Sequence, residues 1–316
     1  MKCTKLFPLT SIATIVIAML CLFILLLTGC DQQKHKPSLK TPKTDLEKLT
    51  IGLIPEQDIF TQKKRYKPLM AYLSEQIGVP IETNILSRYG NIIDNFTELG
   101  LDGAFFGSFT GAMTIKKLGV EPLARPQYIG GASTYYGMVF VKKGSGIRTA
   151  EDMRGKQLVV VDRATTAGYL LPLAYFKALG IEDYKSWFKE YYFSGTHEDA
   201  INDVLNGRAD IGAAKNTVFY RMATENKRVS KELEILATSP YVPANGLAVR
   251  NDLTEELKKN LQRLLLDMHK NSQGREVLDG LMIEKFIETS EADYQPVLDY
   301  ATSIGLDLET YNYLNN

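Results

Sequence analysis

The sequence predicts an α/β chain of two lobes closing on a ligand cleft, with mainly parallel sheets and two hinge crossings. Short apolar runs alternate with amphipathic segments, the order expected of strand-helix-strand units. The alternation restarts after Tyr135-Tyr136-Gly137. After Tyr241-Val242-Pro243-Ala244-Asn245-Gly246 one short strand is followed by three amphipathic segments, the order of a chain returning to its first lobe. The expected lobes are 49–134 plus 246–316 and 135–245, with crossings near Tyr135 and Tyr241.

Ahead of the first lobe, residues 1–29 read as an export signal: Lys2 and Lys5, an uncharged apolar run from Leu6 to Leu27, then Leu27-Thr28-Gly29-Cys30. An uncleaved anchor is the alternative, because the run approaches the length of a bilayer span. The Leu-Thr-Gly-Cys ending resembles the lipobox of bacterial lipoproteins, which implies cleavage before Cys30 and a lipid on that residue. Residues 30–48 are polar and lysine-rich, with Pro37 and Pro42, and read as a flexible tether. Both alternatives put the body outside the cytoplasm.

Cys3 and Cys21 fall in the removed segment, which leaves Cys30 alone and excludes a disulfide, a thiolate metal site or a cysteine nucleophile within a mature chain. The three histidines, His35, His197 and His269, form no pair at metal spacing. Formal charge balances at +0 and no basic face argues for nucleic acid. No catalytic group, metal or cofactor is expected.

Within the body, Leu49 to Ile54 is a strand closed by Pro55. Pro68 to Ile77 has helical spacing with Leu69, Tyr72, Leu73 and Ile77 on one face. Ile81 to Leu86 is a second strand, Tyr89 to Leu99 a second helix and Gly103 to Phe106 a third strand. A helix from Phe109 to Leu118 and a strand around Pro122 to Ala124 follow. After the first crossing come a strand at Met138 to Val141, a capping-box signature at Thr149-Ala150-Glu151-Asp152, a strand at Leu158 to Val161 and a helical pattern to Leu179. Trp187 to Phe193 contains a strand, His197 to Leu205 is a helix, and Asp210 to Ala214 and Leu233 to Thr238 are strands. Leu247 to Val249 is the last strand expected, and the closing helices start near Thr254, Gly274 and Glu291.

The stretch that organises the chain is Asp162-Arg163-Ala164-Thr165-Thr166-Ala167-Gly168-Tyr169, between an apolar strand and a helix. First-turn amides of a helix have no intrahelical partner and sit at the positive end of its dipole, which makes an anion site. Thr165 or Thr166 serves equally well as an ordinary helix cap, and both readings stay open on these residues alone.

Taken from about Leu49 to Leu308, the body resembles the PhnD-like phosphate/phosphite/phosphonate-binding proteins, a branch of the type II periplasmic solute receptors. The carriers of the resemblance come in order: Ile51-Gly52-Leu53-Ile54-Pro55, Pro68-Leu69 with Tyr72-Leu73, Tyr89, and Leu101-Asp102-Gly103-Ala104-Phe105-Phe106-Gly107. Tyr135 before Val139, Asp162 to Pro172, His197-Glu198, Asn206-Gly207 and Ala209-Asp210-Ile211 complete it. The resemblance implies the type II periplasmic-binding-protein fold and an oxyanion held by Thr165, Thr166 and the amides of Ala167 and Gly168, faced by Tyr89 and His197. The family loop usually reads Asp-Pro-x-Ser-Thr-Ser-Gly, so Ala167 stands where a third hydroxyl is usual and Arg163 replaces the Pro. Phe106 stands at the second family Tyr and packs on the ligand without donating. Thr217 and Asn245 match positions where amine-binding relatives carry carboxylates.

The function so implied is a lipid-anchored, extracytoplasmic solute receptor of the cell envelope. As a monomer, it would deliver a phosphorus oxyanion to an ABC permease and its ATPase. Two rivals remain from the sequence: a sensory partner of a membrane kinase or chemoreceptor, which would use the same clamp, and a hydrolase using Thr165 or Thr166 with His197.

Overall fold

The structure, a computed structural model, is described for residues 47–90, 92–308 and 310–315. The signal segment, Cys30 and the tether up to residue 46 lie outside the described residues.

In chain order the strands are β1 (Leu49–Leu53), β2 (Ile81–Ile85), β3 (Gly103–Phe106), β4 (Glu121–Tyr128), β5 (Thr134–Tyr135), β6 (Gly137–Lys142) and β7 (Gln157–Val160). They continue with β8 (Glu190–Phe193), β9 (Ile211–Lys215), β10 (Leu233–Thr238), β11 (Val242–Pro243), β12 (Gly246–Val249) and β13 (Ile283–Glu288). Among the described residues they form two large sheets, ordered β13-β4-β12-β3-β1-β2 and β10-β6-β9-β7-β8, and a two-stranded one, β11-β5.

Each large sheet has a parallel core of three strands, β2-β1-β3 and β8-β7-β9, with its first strand in the middle. Antiparallel neighbours extend both cores, so the mainly parallel expectation holds for the centres and not for the flanks. The segments that carry the chain from one sheet to the other and back pair antiparallel as β5 and β11, Val242 opposite Tyr135.

β7 and β9 show why apolar runs become central strands: Leu158, Val159, Val160 and all of Ile211–Lys215 are buried, as a strand covered on both faces requires. Helix starts follow their caps. Thr196 accepts from the Asp199 amide and Thr254 from the Leu257 amide, while Thr149 and Asp152 close the expected capping box. One buried cluster joins the two sheets, running from Phe106 and Phe109 through Tyr135 to Val161 and Ala167.

Several elements differ from the sequence reading. The first helix spans Ile59–Ile77, capped by Asp58 accepting from the Thr61 amide, and Pro68 lies inside it rather than at its start. Lys64 and Pro68 are both exposed, so the carbonyl that Pro68 leaves without an amide is open to hydration. Tyr89 precedes the Ile92–Glu98 helix, its carbonyl accepting from the Ile92 amide. Trp187 ends a short helix, Tyr184–Trp187, and the strand starts at Glu190. β13, whose Ile283-Glu284-Lys285-Phe286-Ile287-Glu288 pairs with β4 along the edge of the sheet, falls between two of the expected closing helices. Helices at Asn216–Glu225 and Lys227–Glu232 also went unread.

Candidate ligand-binding site

In an open α/β sheet, ligands settle beyond the carboxyl ends of the parallel strands, beside the strand where the order reverses. Every parallel strand here sends a residue to one such place. The loop after β1 carries Glu56, the loop after β2 carries Tyr89, and Gly107 follows β3. From the other sheet come Thr165 and Thr166 after β7, His197 after β8 and Lys215 at the end of β9. Together with Tyr135 and Asn245 from the crossings they line a small, nearly closed inner chamber.

Two helix starts converge there. The Ser108–Leu118 helix begins after Gly107, and the helix leading into Leu171–Ala178 begins with a π-turn, Thr166–Leu170; neither has a side-chain cap. Their first amides therefore need acceptors from elsewhere. In this conformation the protein's own hydroxyl oxygens supply some: Phe109 N donates to Thr166 Oγ1 at 2.9 Å and Ser108 N to Tyr135 Oη at 3.4 Å. Ser108 Oγ, 2.9 Å from Tyr135 Oη, donates to the Pro243 carbonyl at 2.6 Å. Thr166 thus ties a loop of the second sheet to a helix of the first.

The loop itself is set by Asp162. Its Oδ1 accepts from Ala164 N at 2.8 Å, and its carbonyl accepts from Thr165 N at 2.9 Å and from Thr165 Oγ1 at 2.7 Å. The Thr165 hydroxyl proton is thereby occupied in shaping the turn. The chain end braces the same loop: Asn315 Nδ2 donates to Asp162 Oδ2 at 2.8 Å, Arg163 N to Asn315 Oδ1 at 3.0 Å and Tyr311 Oη to the Arg163 carbonyl at 2.8 Å. Gly168 is required by packing, since a Cβ there would lie 2.4 Å from Val161 Cγ2. Burial pushes the Asp162 carboxyl up to about 6, against the hydrogen bonds of Ala164, Asn315 and Gly90.

Tyr89 is 3 % exposed, lines the chamber, and its hydroxyl is buried without a hydrogen-bond partner. Its ring meets His197 edge-on at 5.9 Å. His197 Nδ1 accepts from Lys215 N at 3.3 Å, which places the ring proton on Nε2 and makes that nitrogen a donor. Burial holds the imidazole neutral by lowering its pKa to about 3.

An ion pair between buried Lys215 and half-buried Glu56 forms the chamber's remaining wall. Lys215 Nζ lies 2.7 Å from Glu56 Oε1 and 3.1 Å from Asn245 Oδ1, and sits 4.4 Å over the Tyr135 ring. Asn245 Nδ2 donates to the same Glu56 oxygen at 2.9 Å. Burial raises the Glu56 pKa, but the charge and hydrogen bond of Lys215 outweigh it and bring the carboxyl down to about 2. Sequence reasoning missed Glu56 altogether, and a carboxylate does stand in the cleft. Lys215 points inward and is 2 % exposed.

The remaining expected residues are placed as follows. Thr217 lines an adjoining outer chamber that Asn245 also borders. Ala167 is buried in the first turn of the Thr166–Leu170 segment. Phe106 packs against Phe96 at 5.9 Å and is not among the residues lining either chamber.

These titrations give an expected pH profile. His197, with its folded pKa depressed, contributes stability present above about 6.5 and lost as pH falls toward 3. Asp162 has the opposite sign, gaining as pH falls from 6 to 3.8, while Glu56 loses its contribution from about 4.5 down to 2. Stability measured by urea unfolding should therefore be nearly flat from about pH 6 to 4.5 and then fall by roughly 2–3 kcal/mol toward pH 3. A curve that rises toward pH 3 would contradict these assignments.

Residues 51–294 match the family described as "ABC transporter, phosphonate, periplasmic substrate-binding protein". The chain is 28% identical over 251 residues to the phosphate-import protein PhnD of Mycolicibacterium smegmatis, covering 76% of this chain and 78% of that one. Among solved structures it is similar to a binding protein component of an ABC phosphonate transporter from Pseudomonas aeruginosa, with TM-score 0.76, 23% identity, and coverage of 82% and 87%. It is also similar to PhnD1 of Prochlorococcus marinus in complex with methylphosphonate, with TM-score 0.73, 20% identity, and coverage of 82% and 98%. These structural likenesses give the fold, that of type II periplasmic binding proteins.

Proposed function

Since this chain belongs to the family of phosphonate-binding periplasmic substrate-binding proteins of ABC transporters, we propose that its inner chamber is where a phosphorus oxyanion is held. The protein works outside the cytoplasm as the capture component of an importer, and a permease with its ATPase takes the ligand. The observation that carries the site assignment is the buried, unpartnered Tyr89 hydroxyl, on a residue that lines the same chamber as two uncapped helix starts. A buried hydroxyl left unpaired costs about 1–3 kcal/mol, and an oxyanion oxygen offers the missing acceptor. His197 Nε2 supplies a second donor from the other lobe, and the amides of Thr166, Ala167 and Gly168 supply a third group.

The lobes are read as 49–134 plus 246–316 and 135–245, hinged at the β5-β11 ribbon. Donors from both converge only when the cleft is closed, so ligand shifts the equilibrium toward closure. The Thr166 hydroxyl, now accepting from Phe109, is free to re-aim its contacts when the oxyanion enters. The hydrolase rival has no support in this geometry: His197 Nδ1 is occupied by the Lys215 amide and Nε2 carries the proton, so the ring has no free lone pair to act as a base.

The ligand is read as a compact anion without an amine. Thr217 and Asn245 bring no carboxylate, and the one in the cleft, Glu56, is already paired with Lys215. An ammonium would meet Lys215 without a free counterion, which is strongly disfavoured. Calorimetric titration with phosphite, phosphate, methylphosphonate and aminoethylphosphonate should rank the last weakest. Tightest binding of aminoethylphosphonate would mean that Glu56 leaves Lys215 to take the amine.

Cys30 is read as the lipid-bearing residue, holding the monomeric receptor near its permease and raising its effective concentration there. Mass spectrometry of the membrane form should find the lipid on Cys30. A Cys30→Ser chain still processed and lipid-modified would contradict this.

A further inference from the structure

The outer chamber adjoins the inner one through a common wall of Glu56, Lys215 and Asn245, and has about 730 Å³ of empty space, part of it open to solvent. Its charge is one-sided: among the described residues lining it, Arg65, Arg221 and Lys215 are cationic and Glu56 is the only carboxylate. Glu56 spends its charge on Lys215. Arg65 Nη2 donates to the Leu281 carbonyl at 2.7 Å, and its charge also acts on Glu56.

Arg221 is the more telling group. Its side chain is 13% exposed, the nearest carboxylate in an ion pair with it is Glu198 at 4.0 Å, and its Nε is buried with no hydrogen-bond partner. A guanidinium held in this way presents a donor fork suited to a carboxylate or another planar acid. Leu281 and Ile283 add apolar surface to the lining, against which a short methylene chain would lie.

We propose that the outer chamber is a second anion subsite, so that the protein takes two-headed ligands of the phosphonocarboxylate class, phosphoryl group inward and carboxylate on Arg221. The inference rests on the inner chamber being the phosphoryl site. It extends the preference against an amine into a positive one for a second acid.

Titration calorimetry with ethylphosphonate and 3-phosphonopropionate tests it, since the two share the phosphoryl group and a two-carbon chain. The two-headed ligand is expected to bind about tenfold tighter or more. In Arg221→Gln that ratio should collapse to within about twofold of one, and Arg221→Lys, which keeps the charge but loses the fork, should retain part of it. Thermal melts of both variants report whether they are folded. Equal or tighter binding of ethylphosphonate by the native protein, or a ratio that survives in folded Arg221→Gln, would overturn the second subsite and leave the inner site standing. Failure of both ligands, and of phosphite and phosphate, to bind would instead overturn the phosphoryl site and the second subsite with it.

Discussion

Glu56→Gln is expected to lower the protein's stability by about 3–5 kcal/mol while strengthening its hold on an oxyanion by about tenfold. The signs differ because Lys215 changes partner. With its side chain 3% exposed and Glu56 replaced by a neutral amide, the ammonium keeps the Gln oxygen, the Asn245 oxygen and the Tyr135 ring as neighbours but has lost its counter-charge. Removing one member of a buried pair costs about this much because the other charge is uncompensated. An oxyanion entering the chamber then becomes the counterion that Glu56 was, and the ligand recovers part of what the substitution lost. Urea unfolding with and without ligand reads both effects. Unchanged stability would show that the pair merely breaks even with its desolvation, and weakened binding would show that Glu56 orients the ligand directly.

Tyr89→Phe isolates the other half of the site. The hydroxyl makes no hydrogen bond within the protein, so deleting it removes a desolvation cost and should leave stability unchanged or raise it slightly. Its bond to a charged oxygen exists only with ligand present and is worth about 1.5–3 kcal/mol. Affinity should fall by roughly tenfold to a hundredfold without loss of fold. An affinity that does not move would make Tyr89 a packing residue, and a large loss of stability would mean that its hydroxyl has a structural partner.

How much of this was legible in the sequence depends on where each signal lies. Tyr89, Thr165, Thr166 and His197 came from the family resemblance, and all four line the inner chamber. Glu56 carries no such mark: it follows Pro55 in a loop, and the lysine that holds it is 159 positions away. From sequence Lys215 fits an inward or a solvated position, and only pairing with Glu56 makes its burial tolerable.

Other misreadings have local causes. Pro68 fits the start of a helix as well as its interior, because Pro is favoured in the first turn. The signal that settles it is Asp58, whose carboxylate reaches the Thr61 amide three residues on. β13 was obscured by its position between two amphipathic helices and by the polar residues along an edge strand, whose register against β4 is irregular. Phe106 alternates with Phe105 along β3, both faces of which are buried, and its ring packs against Phe96.

The most direct test of the central claim is a crystal structure of the chain grown with methylphosphonate. Phosphonate oxygens are predicted within hydrogen-bond distance, about 2.6–3.2 Å, of Tyr89 Oη, His197 Nε2 and the first amides of the Thr166–Leu170 segment. A ligand bound elsewhere, with the Tyr89 hydroxyl still unpartnered, would contradict the account.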